Sequence, residues 1–168
     1  MAPESDRDCV DAETCPSRRR FAAFRIGTVH AYRYRVEWAG SILIVDDERA
    51  TREMVVELLR EEGVEAHPAG SVDEALEALR QGRFEAILSD IQMPGKDGFT
   101  LLSELRERGT TIPVILMTSF GTEETAREAV AAGAFDCLLK PFARSALLES
   151  VHRAFEARAA VDDPVTCP

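Results

Sequence analysis

The sequence contains few lysines, few cysteines and no long apolar run. Two of its 20 basic residues are lysines, and its four cysteines include no C-x-x-C pair. These spacings predict neither a zinc site nor a disulfide framework, so we expect reduced thiols. No window of about 18 apolar residues is present, and the polar first residues do not resemble a secretory signal. We therefore expect a cytoplasmic protein with no membrane partner.

Positive charge is also scarce over most of the chain. The whole sequence has a net charge of −10 at pH 7. Residues 41–168 hold 13 basic and 24 acidic side chains, whereas residues 1–40 hold seven and six. Such an acidic body repels phosphate backbones, so direct binding to nucleic acid is not expected.

From residue 41 onward the chain alternates apolar runs with helical patterns. The apolar runs predict strands over 41–46, 64–68, 84–89, 112–118 and 136–139. The helical spacing predicts helices over about 48–62, 71–81, 98–108, 121–132 and 143–159. Ser71 and Glu74 form a capping-box pattern, and Gly63 and Gly109 are placed to end helices. Five β-then-α units predict an α/β fold, a doubly wound parallel sheet with helices on both faces.

The two ends of the chain lack this pattern. We expect residues 1–40 to be an irregular N-terminal extension, and residues 161–168 a short tail, around a domain at 41–160. An alternation of aromatic residues between Tyr32 and Trp38 could form a short strand, but no partner for it is evident. Residues 1–35 are therefore expected to be dispensable.

Polar residues stand at the carboxyl ends of several predicted strands. Asp46 and Asp47 end the first strand, Asp90 the third, Thr118 the fourth and Lys140 the fifth. Ligands of an open parallel sheet bind beyond these ends. We therefore expect three carboxylates, a hydroxyl and an ammonium group to converge at one edge of the sheet.

This set of groups suits phosphoryl chemistry with a divalent cation. Hard oxygen ligands favour Mg²⁺, whose charge offsets the repulsion between Asp46 and Asp47. An aspartate such as Asp90 can attack phosphorus as a nucleophile. Lys140 and Thr118 can bind phosphoryl oxygens. The sequence therefore predicts a magnesium-dependent phosphoryl acceptor.

Four stretches resemble the receiver domain of two-component response regulators: "ILIVDDE", "ILSDIQMPGKDGF", "PVILMTSFG" and "AGAFDCLLKPF". The resemblance covers about 41–160, and "MTSFGTEETAREAVAAGAFDCLLKPF" is most similar to receivers of the nitrogen-regulator type. It implies a flavodoxin-like fold with strand order 2-1-3-4-5. It also implies a sensor histidine kinase or phosphotransfer protein as phosphoryl donor, and an output protein as a further partner.

The resemblance assigns a role to each site residue. Asp90 would be the phosphoacceptor. Asp47 and Asp90 would bind Mg²⁺ directly, together with the backbone carbonyl of Gln92, and Asp46 would hold the ion through water. Thr118 would be the switch hydroxyl.

The fifth strand carries one further implied feature and one departure from the family. Lys140 would contact the phosphoryl group, and its bond to Pro141 would be a cis peptide, a form essentially confined to proline. Receivers typically carry Tyr or Phe at the position of Cys137. A cysteine has no ring to move inward with the threonine, so another element would have to transmit the change. The fourth helix with its preceding loop, Phe120 and Phe135 are the alternatives.

Our interpretation is a stand-alone receiver whose output surface comprises the fourth helix, fifth strand and fifth helix. It would catalyse its own phosphoryl transfer and dephosphorylation, and no other reaction. A phosphorelay shuttle, a non-phosphorylated docking module and a fragment of a larger regulator stay open. A phosphatase-type enzyme is disfavoured, because Gln92 stands where those enzymes usually carry a second acid.

Overall fold

A computed structural model describes residues 40–119 and 121–162. Its elements alternate strictly, as β1 (Ser41–Val45), α1 (Arg49–Glu61), β2 (Glu65–Ala69), α2 (Val72–Gln81), β3 (Ala86–Asp90), α3 (Gly98–Glu107), β4 (Val114–Thr118), α4 (Glu123–Ala131), β5 (Asp136–Leu139) and α5 (Arg144–Asp162). The expectations for the N-terminal extension, the Tyr32–Trp38 alternation, Phe120 and the last residues of the tail lie outside the described residues. No helix in the described ranges is both long and apolar enough to cross a membrane.

The five strands form one parallel sheet in the order β2-β1-β3-β4-β5. This confirms the predicted flavodoxin-like fold and its strand order. The chain reverses its direction of winding at β1 and β3, so the carboxyl ends of these two strands open onto a crevice between their loops.

Each face of the sheet carries its own apolar core. Side chains of successive strand residues point to opposite faces, and β1 shows this alternation. Leu43 and Val45 pack with α2, α3 and α4, which we call the α2–α4 core. Ile42 and Ile44 pack with α1 and α5, which we call the α1/α5 core. Burial on both faces explains why these strands are continuous apolar runs rather than alternating ones.

The helix ends follow local chemistry. The Ser71 hydroxyl accepts a hydrogen bond from the Glu74 N–H at 3.2 Å, as predicted for an N-cap, while the Glu74 carboxylate reaches the Gly70 N–H at 2.7 Å. Gly63 and Gly109 follow α1 and α3 with φ of 88° and 70°, which confirms the left-handed helix ends predicted for them.

Two helix boundaries differ from the sequence prediction by more than one residue. Helix α4 begins at Glu123 rather than at residue 121, because Thr122 is still extended (φ −92°, ψ 170°) and serves as the N-cap. Helix α5 continues to Asp162, beyond the predicted end at 159. Ala159 and Ala160 carry the extra turn, and alanine has the highest helix propensity of all residues.

Candidate functional site

The side chains of Asp46, Asp90, Thr118 and Lys140 lie at the carboxyl edge of the sheet. Asp90 is the last residue of β3 and Thr118 the last of β4. Asp46 and Lys140 directly follow β1 and β5. Each of these four residues is thus either the last residue of a strand or the first residue after one, and the four strands are adjacent in the sheet.

Lys140 connects the two buried carboxylates. Its ammonium nitrogen lies 2.7 Å from Asp46 Oδ2 and 2.8 Å from Asp90 Oδ1. Asp46 is 1% exposed and Asp90 6% exposed. Since three strands supply these groups, the ion-pair cluster cannot form until β1, β3 and β5 are joined in the sheet.

The second oxygen of each carboxylate is held by the backbone. Asp46 Oδ1 accepts the Glu48 N–H at 2.8 Å, and Asp90 Oδ2 accepts the Gln92 N–H at 3.0 Å. Both contacts lie two residues apart in sequence, the spacing by which aspartates stabilise turns. Each carboxylate is therefore fixed at both oxygens by groups of this domain.

Close packing between β3 and α3 fixes the backbone position of Asp90 as well. Gly98 begins α3 directly against β3. A methyl group at Gly98 would clash with the Asp90 carbonyl and lie 3.0 Å from Ile91 Cα. The absence of a side chain at this position lets α3 start close to the phosphoacceptor candidate.

The predicted third carboxylate lies apart from this cluster. Asp47 is exposed, whereas Asp46 points inward to Lys140. Among the described residues no three acidic, histidine or cysteine side chains are gathered as a metal-binding group. The predicted convergence is therefore correct for Asp46, Asp90 and Lys140. It is not seen for Asp47, because adjacent residues beyond a strand end point in different directions.

The electrostatics show that negative charge exceeds positive charge at this edge. Burial raises the pKa of Asp90, and the charge of Asp46 adds to this, although Lys140 acts in the opposite direction. Burial alone would lower the pKa of Lys140, but its hydrogen bonds to Asp46 and Asp90 and their charges raise it. The pKa values of Asp90 and Lys140 are thus both raised, as expected where one ammonium group pairs with two buried carboxylates.

The donor set at this edge fits a hard divalent cation. Three carboxylates and one ammonium group leave a net charge of −2 when Asp47 is included. All candidate donors are carboxylate or carbonyl oxygens, and Asp47 is accessible to solvent. Oxygen-only donors with room for water ligands suit Mg²⁺ better than a soft or imidazole-bound metal.

The comparison with protein families agrees with this geometry. The model of the response regulator receiver domain matches residues 42–152. The chain belongs to this family. Receiver domains are signalling modules of two-component systems, and the match extends from β1 into α5.

Relatives of this receiver domain are regulatory proteins. Response regulator protein FleR of Pseudomonas aeruginosa is 42% identical over 115 residues, 68% of this chain and 24% of that protein. Regulatory protein AtoC of Escherichia coli is also 42% identical over 115 residues, 68% of this chain and 25% of that protein. DNA-binding transcriptional regulator NtrC of Proteus hauseri is 35% identical over 68% of this chain. The chain therefore spans about a quarter of the length of these relatives.

Solved receiver structures share the fold. The Francisella response regulator 1452 receiver domain superposes with a TM-score of 0.67 at 27% identity, over 70% of this chain and 98% of that one. Chemotaxis protein CheY4 of Vibrio cholerae gives a TM-score of 0.63 at 33% identity, over 68% of this chain and 97% of that one.

The region of β5 in this receiver domain contains both the cis peptide bond that the resemblance implied and the unusual Cys137. The Lys140–Pro141 bond is cis, as the resemblance implied. Cys137 is half-buried against the α2–α4 core. Burial and the nearby Asp136 raise the pKa of its thiol, which disfavours a reactive thiolate. Phe135 packs against the α1/α5 core, on the opposite face of the sheet. It is therefore poorly placed to replace a ring at position 137.

Sequence reasoning missed Arg52, which lies in the second turn of α1. Its guanidinium group donates to the backbone carbonyl of Asp46. It also lies beside Gly70 at the end of β2. Arg52 thus ties the turn that carries Asp46 to the neighbouring loop. In the sequence, an arginine of the amphipathic helix α1 that binds this carbonyl looks the same as an arginine that is simply exposed to solvent.

Lys96 is a tether rather than a member of the site. Its ammonium group pairs with Asp73 at 3.0 Å and with Glu104 at 2.9 Å. These contacts fasten the loop after Asp90 to α2 and α3. Because Lys96 is 43% exposed, its pairs contribute little to stability.

Proposed function

We propose that Asp90 accepts a phosphoryl group from a phosphohistidine of a sensor kinase or phosphotransfer protein. One carboxylate oxygen of Asp90 attacks phosphorus. The bond between phosphorus and the imidazole nitrogen breaks, its electron pair returns to the donor's ring, and an aspartyl phosphate forms. The observation that carries this proposal is the placement of Asp90 at the end of β3, with one oxygen 2.8 Å from the Lys140 ammonium group.

Mg²⁺ would be held by Asp47, Asp90 and the backbone carbonyl of Gln92, with Asp46 acting through water. It would supply charge neutralisation for the incoming phosphoryl oxygens. Asp47 is exposed and directly follows the buried Asp46 in the turn after β1, which supports this assignment, since an ion entering from solvent reaches Asp47 first.

Lys140 and Thr118 would bind phosphoryl oxygens once the acyl phosphate has formed. Lys140 already bridges Asp46 and Asp90, so it needs to exchange one carboxylate oxygen for a phosphoryl oxygen. Thr118 is buried at the end of the neighbouring strand, where its hydroxyl can act as a donor. Later attack by water on phosphorus would release inorganic phosphate and restore the Asp90 carboxylate.

The signal would leave the domain through contacts with an output protein at α4, β5 and α5. All three elements carry an exposed apolar side chain, namely Val130 of α4, Leu139 of β5 and Val161 of α5, which supports this assignment. We also propose that the protein acts in the cytoplasm, where its kinase partners would phosphorylate it.

Intact-mass measurement after incubation with Mg²⁺ and acetyl phosphate tests this function. The protein should gain the mass of one phosphoryl group, and Asp90→Asn should gain none. Asp73→Asn, which removes an exposed carboxylate from α2, serves as the matched control and should behave like wild type. A full mass gain in Asp90→Asn would contradict the assignment of Asp90.

A further inference from the structure

Thr118 and Leu139 face each other across β4 and β5. They are direct partners in the parallel register. Leu138 packs in the α1/α5 core, so its neighbour Leu139 projects to the opposite face, toward α4. On β4, Leu116 belongs to the α2–α4 core, so Thr118, two residues later, lies on the same face as Leu139.

Gly121 closes over this pair from the loop before α4. A methyl group at Gly121 would clash with Leu139 Cδ2 and lie 2.7 Å from Thr118 Cγ2. The close approach of two methyl groups, one from Thr118 and one from Leu139, leaves no room for a side chain at Gly121.

The Thr118 methyl group and Leu139 both lie against Gly121 on paired strands, which makes Leu139 sensitive to the position of the Thr118 hydroxyl. Cγ2 and Oγ1 share one Cβ, and a β-branched side chain moves between a small number of staggered rotamers. Any rotation that carries Oγ1 toward a phosphoryl group on Asp90 must therefore also move Cγ2 relative to Leu139 and Gly121. Leu139 is 40% exposed, so such a movement would reach the surface beside α4.

We propose that Leu139 is a positioning residue for Thr118, and that the Thr118–Gly121–Leu139 contact transmits the position of the hydroxyl to α4. This inference rests on the proposed phosphorylation of Asp90. In this chain the contact takes over the coupling that a ring at position 137 would provide, because Cys137 is too small to report on Thr118. Leu139 does not touch the phosphoryl group, so its loss should leave phosphoryl uptake intact.

Four proteins test the proposal: wild type, Leu139→Ala, Leu139→Met and Met54→Ala. Methionine nearly conserves the volume of leucine and should rescue the contact. Met54 is 54% exposed on α1 and provides a matched truncation of an exposed apolar side chain away from the site. All four should gain one phosphoryl mass with acetyl phosphate and Mg²⁺.

Hydrogen exchange of Glu123–Ala131, with and without beryllofluoride, reads the coupling. Wild type, Leu139→Met and Met54→Ala should show a change in exchange across α4 when beryllofluoride is added. Leu139→Ala should lose that change while keeping its phosphoryl mass gain. A response in Leu139→Ala equal to that of wild type would overturn the proposal, as would an equal loss in Leu139→Met.

A measurement without any phosphoryl group separates this inference from the proposed function. Three-bond couplings of the Thr118 methyl group report its χ1 populations by NMR. Leu139→Ala should change those populations, and Leu139→Met should restore them. Gly121→Ala, which forces a methyl group between Leu139 and Thr118, should also shift them. If wild type takes up no phosphoryl group, the proposed function fails. Wild-type χ1 populations in Leu139→Ala would overturn the role of Leu139.

Discussion

The β1–β3 half of the sheet and the β4–β5 edge differ in how completely their side chains are fixed. Every residue of β3 is buried, and both carboxylates at this end have partners on both oxygens. In β5, Leu138 is buried, Asp136 and Cys137 are half-buried, and Leu139 is exposed. The half that holds Asp46 and Asp90 is thus assembled in advance, while the β5 edge has side chains that are less completely packed.

This difference suggests that the two halves tolerate sequence change differently. The carboxylate cluster holds two buried negative charges against one positive charge, so the loss of Lys140 leaves both carboxylates without their ammonium partner. The β5 edge balances apolar contacts of partly exposed side chains, so a substitution changes the strength of coupling and leaves the fold in place. A departure such as Cys137 is therefore acceptable at the edge and would be costly at the cluster.

The largest effect is expected for Lys140→Met in buffer without Mg²⁺. Removing the ammonium group leaves Asp46 and Asp90 buried beside each other. Breaking a buried ion pair costs about 3–5 kcal/mol, and we expect about 3 kcal/mol because Lys140 is 16% exposed. Urea denaturation measures the loss. Lys96→Met, the substitution of the other lysine, should cost less than about 1 kcal/mol.

A further variant sharpens this prediction. Adding Asp90→Asn to Lys140→Met removes one of the two unpaired charges, so much of the lost stability should return. Equal instability of the single and double variants would show that Lys140 contributes packing rather than charge to this edge.

A smaller effect is expected from Mg²⁺ itself. A ligand that binds only the folded state stabilises it, by about 2.7 kcal/mol at a concentration of 100 Kd. The midpoint of thermal unfolding of wild type should therefore rise with Mg²⁺ concentration. Asp47→Ala should show much less of this rise, and Asp73→Ala should match wild type. Equal rises in Asp47→Ala and wild type would place the ion elsewhere.

Asp90→Asn should make the Mg²⁺-free domain more stable, by less than Lys140→Met destabilises it. One ammonium group serves two buried carboxylates, so neutralising Asp90 removes charge that the fold accommodates poorly. The amide oxygen can still accept the Gln92 N–H. Urea denaturation of both proteins in EDTA checks this. A stability loss in Asp90→Asn would mean that the Asp90–Lys140 pair outweighs the cost of burying Asp90.

The sequence predicted most of the fold, because burial on both faces makes β1, β3 and β4 largely apolar runs. It also placed Asp46, Asp90, Thr118 and Lys140 at one edge, since the carboxyl ends of parallel strands share an edge. It did not predict that Asp47 stands apart from the ion-pair cluster. Side-chain direction beyond a strand end depends on the turn, as the Asp46 contact with the Glu48 N–H shows.

Residues that act through three-dimensional contact left no signal in the sequence. Arg52 reads as one more charged residue of an amphipathic helix, although it holds the carbonyl of Asp46. Gly121 and Leu139 are 18 positions apart and become neighbours only through the pairing of β4 with β5. Long-range packing of this kind is invisible to periodicity and spacing.

The smallest predicted effect concerns Cys137→Tyr. In wild type, beryllofluoride should change hydrogen exchange mainly from Thr118 through α4, next to the proposed phosphoryl site, and only weakly over 136–148. A ligand shifts an equilibrium only by its differential affinity for the two states. A small thiol at position 137 offers little difference between an inward and an outward state. A tyrosine there should extend the exchange response across β5 and the start of α5.

The contact of Leu139 with Thr118 sets the control for this comparison. If Leu139 carries the coupling in wild type, Cys137→Tyr combined with Leu139→Ala should recover the response over Glu123–Ala131 that Leu139→Ala alone lacks. The packing of Leu139 and an aromatic ring at position 137 would then be two alternative ways of coupling α4 to the position of Thr118. Strong wild-type protection across β5 and the start of α5 would instead show that no ring is needed. Cys137 would then be as effective as an aromatic residue, and the β4–β5 edge would be as firmly coupled as the β1–β3 half.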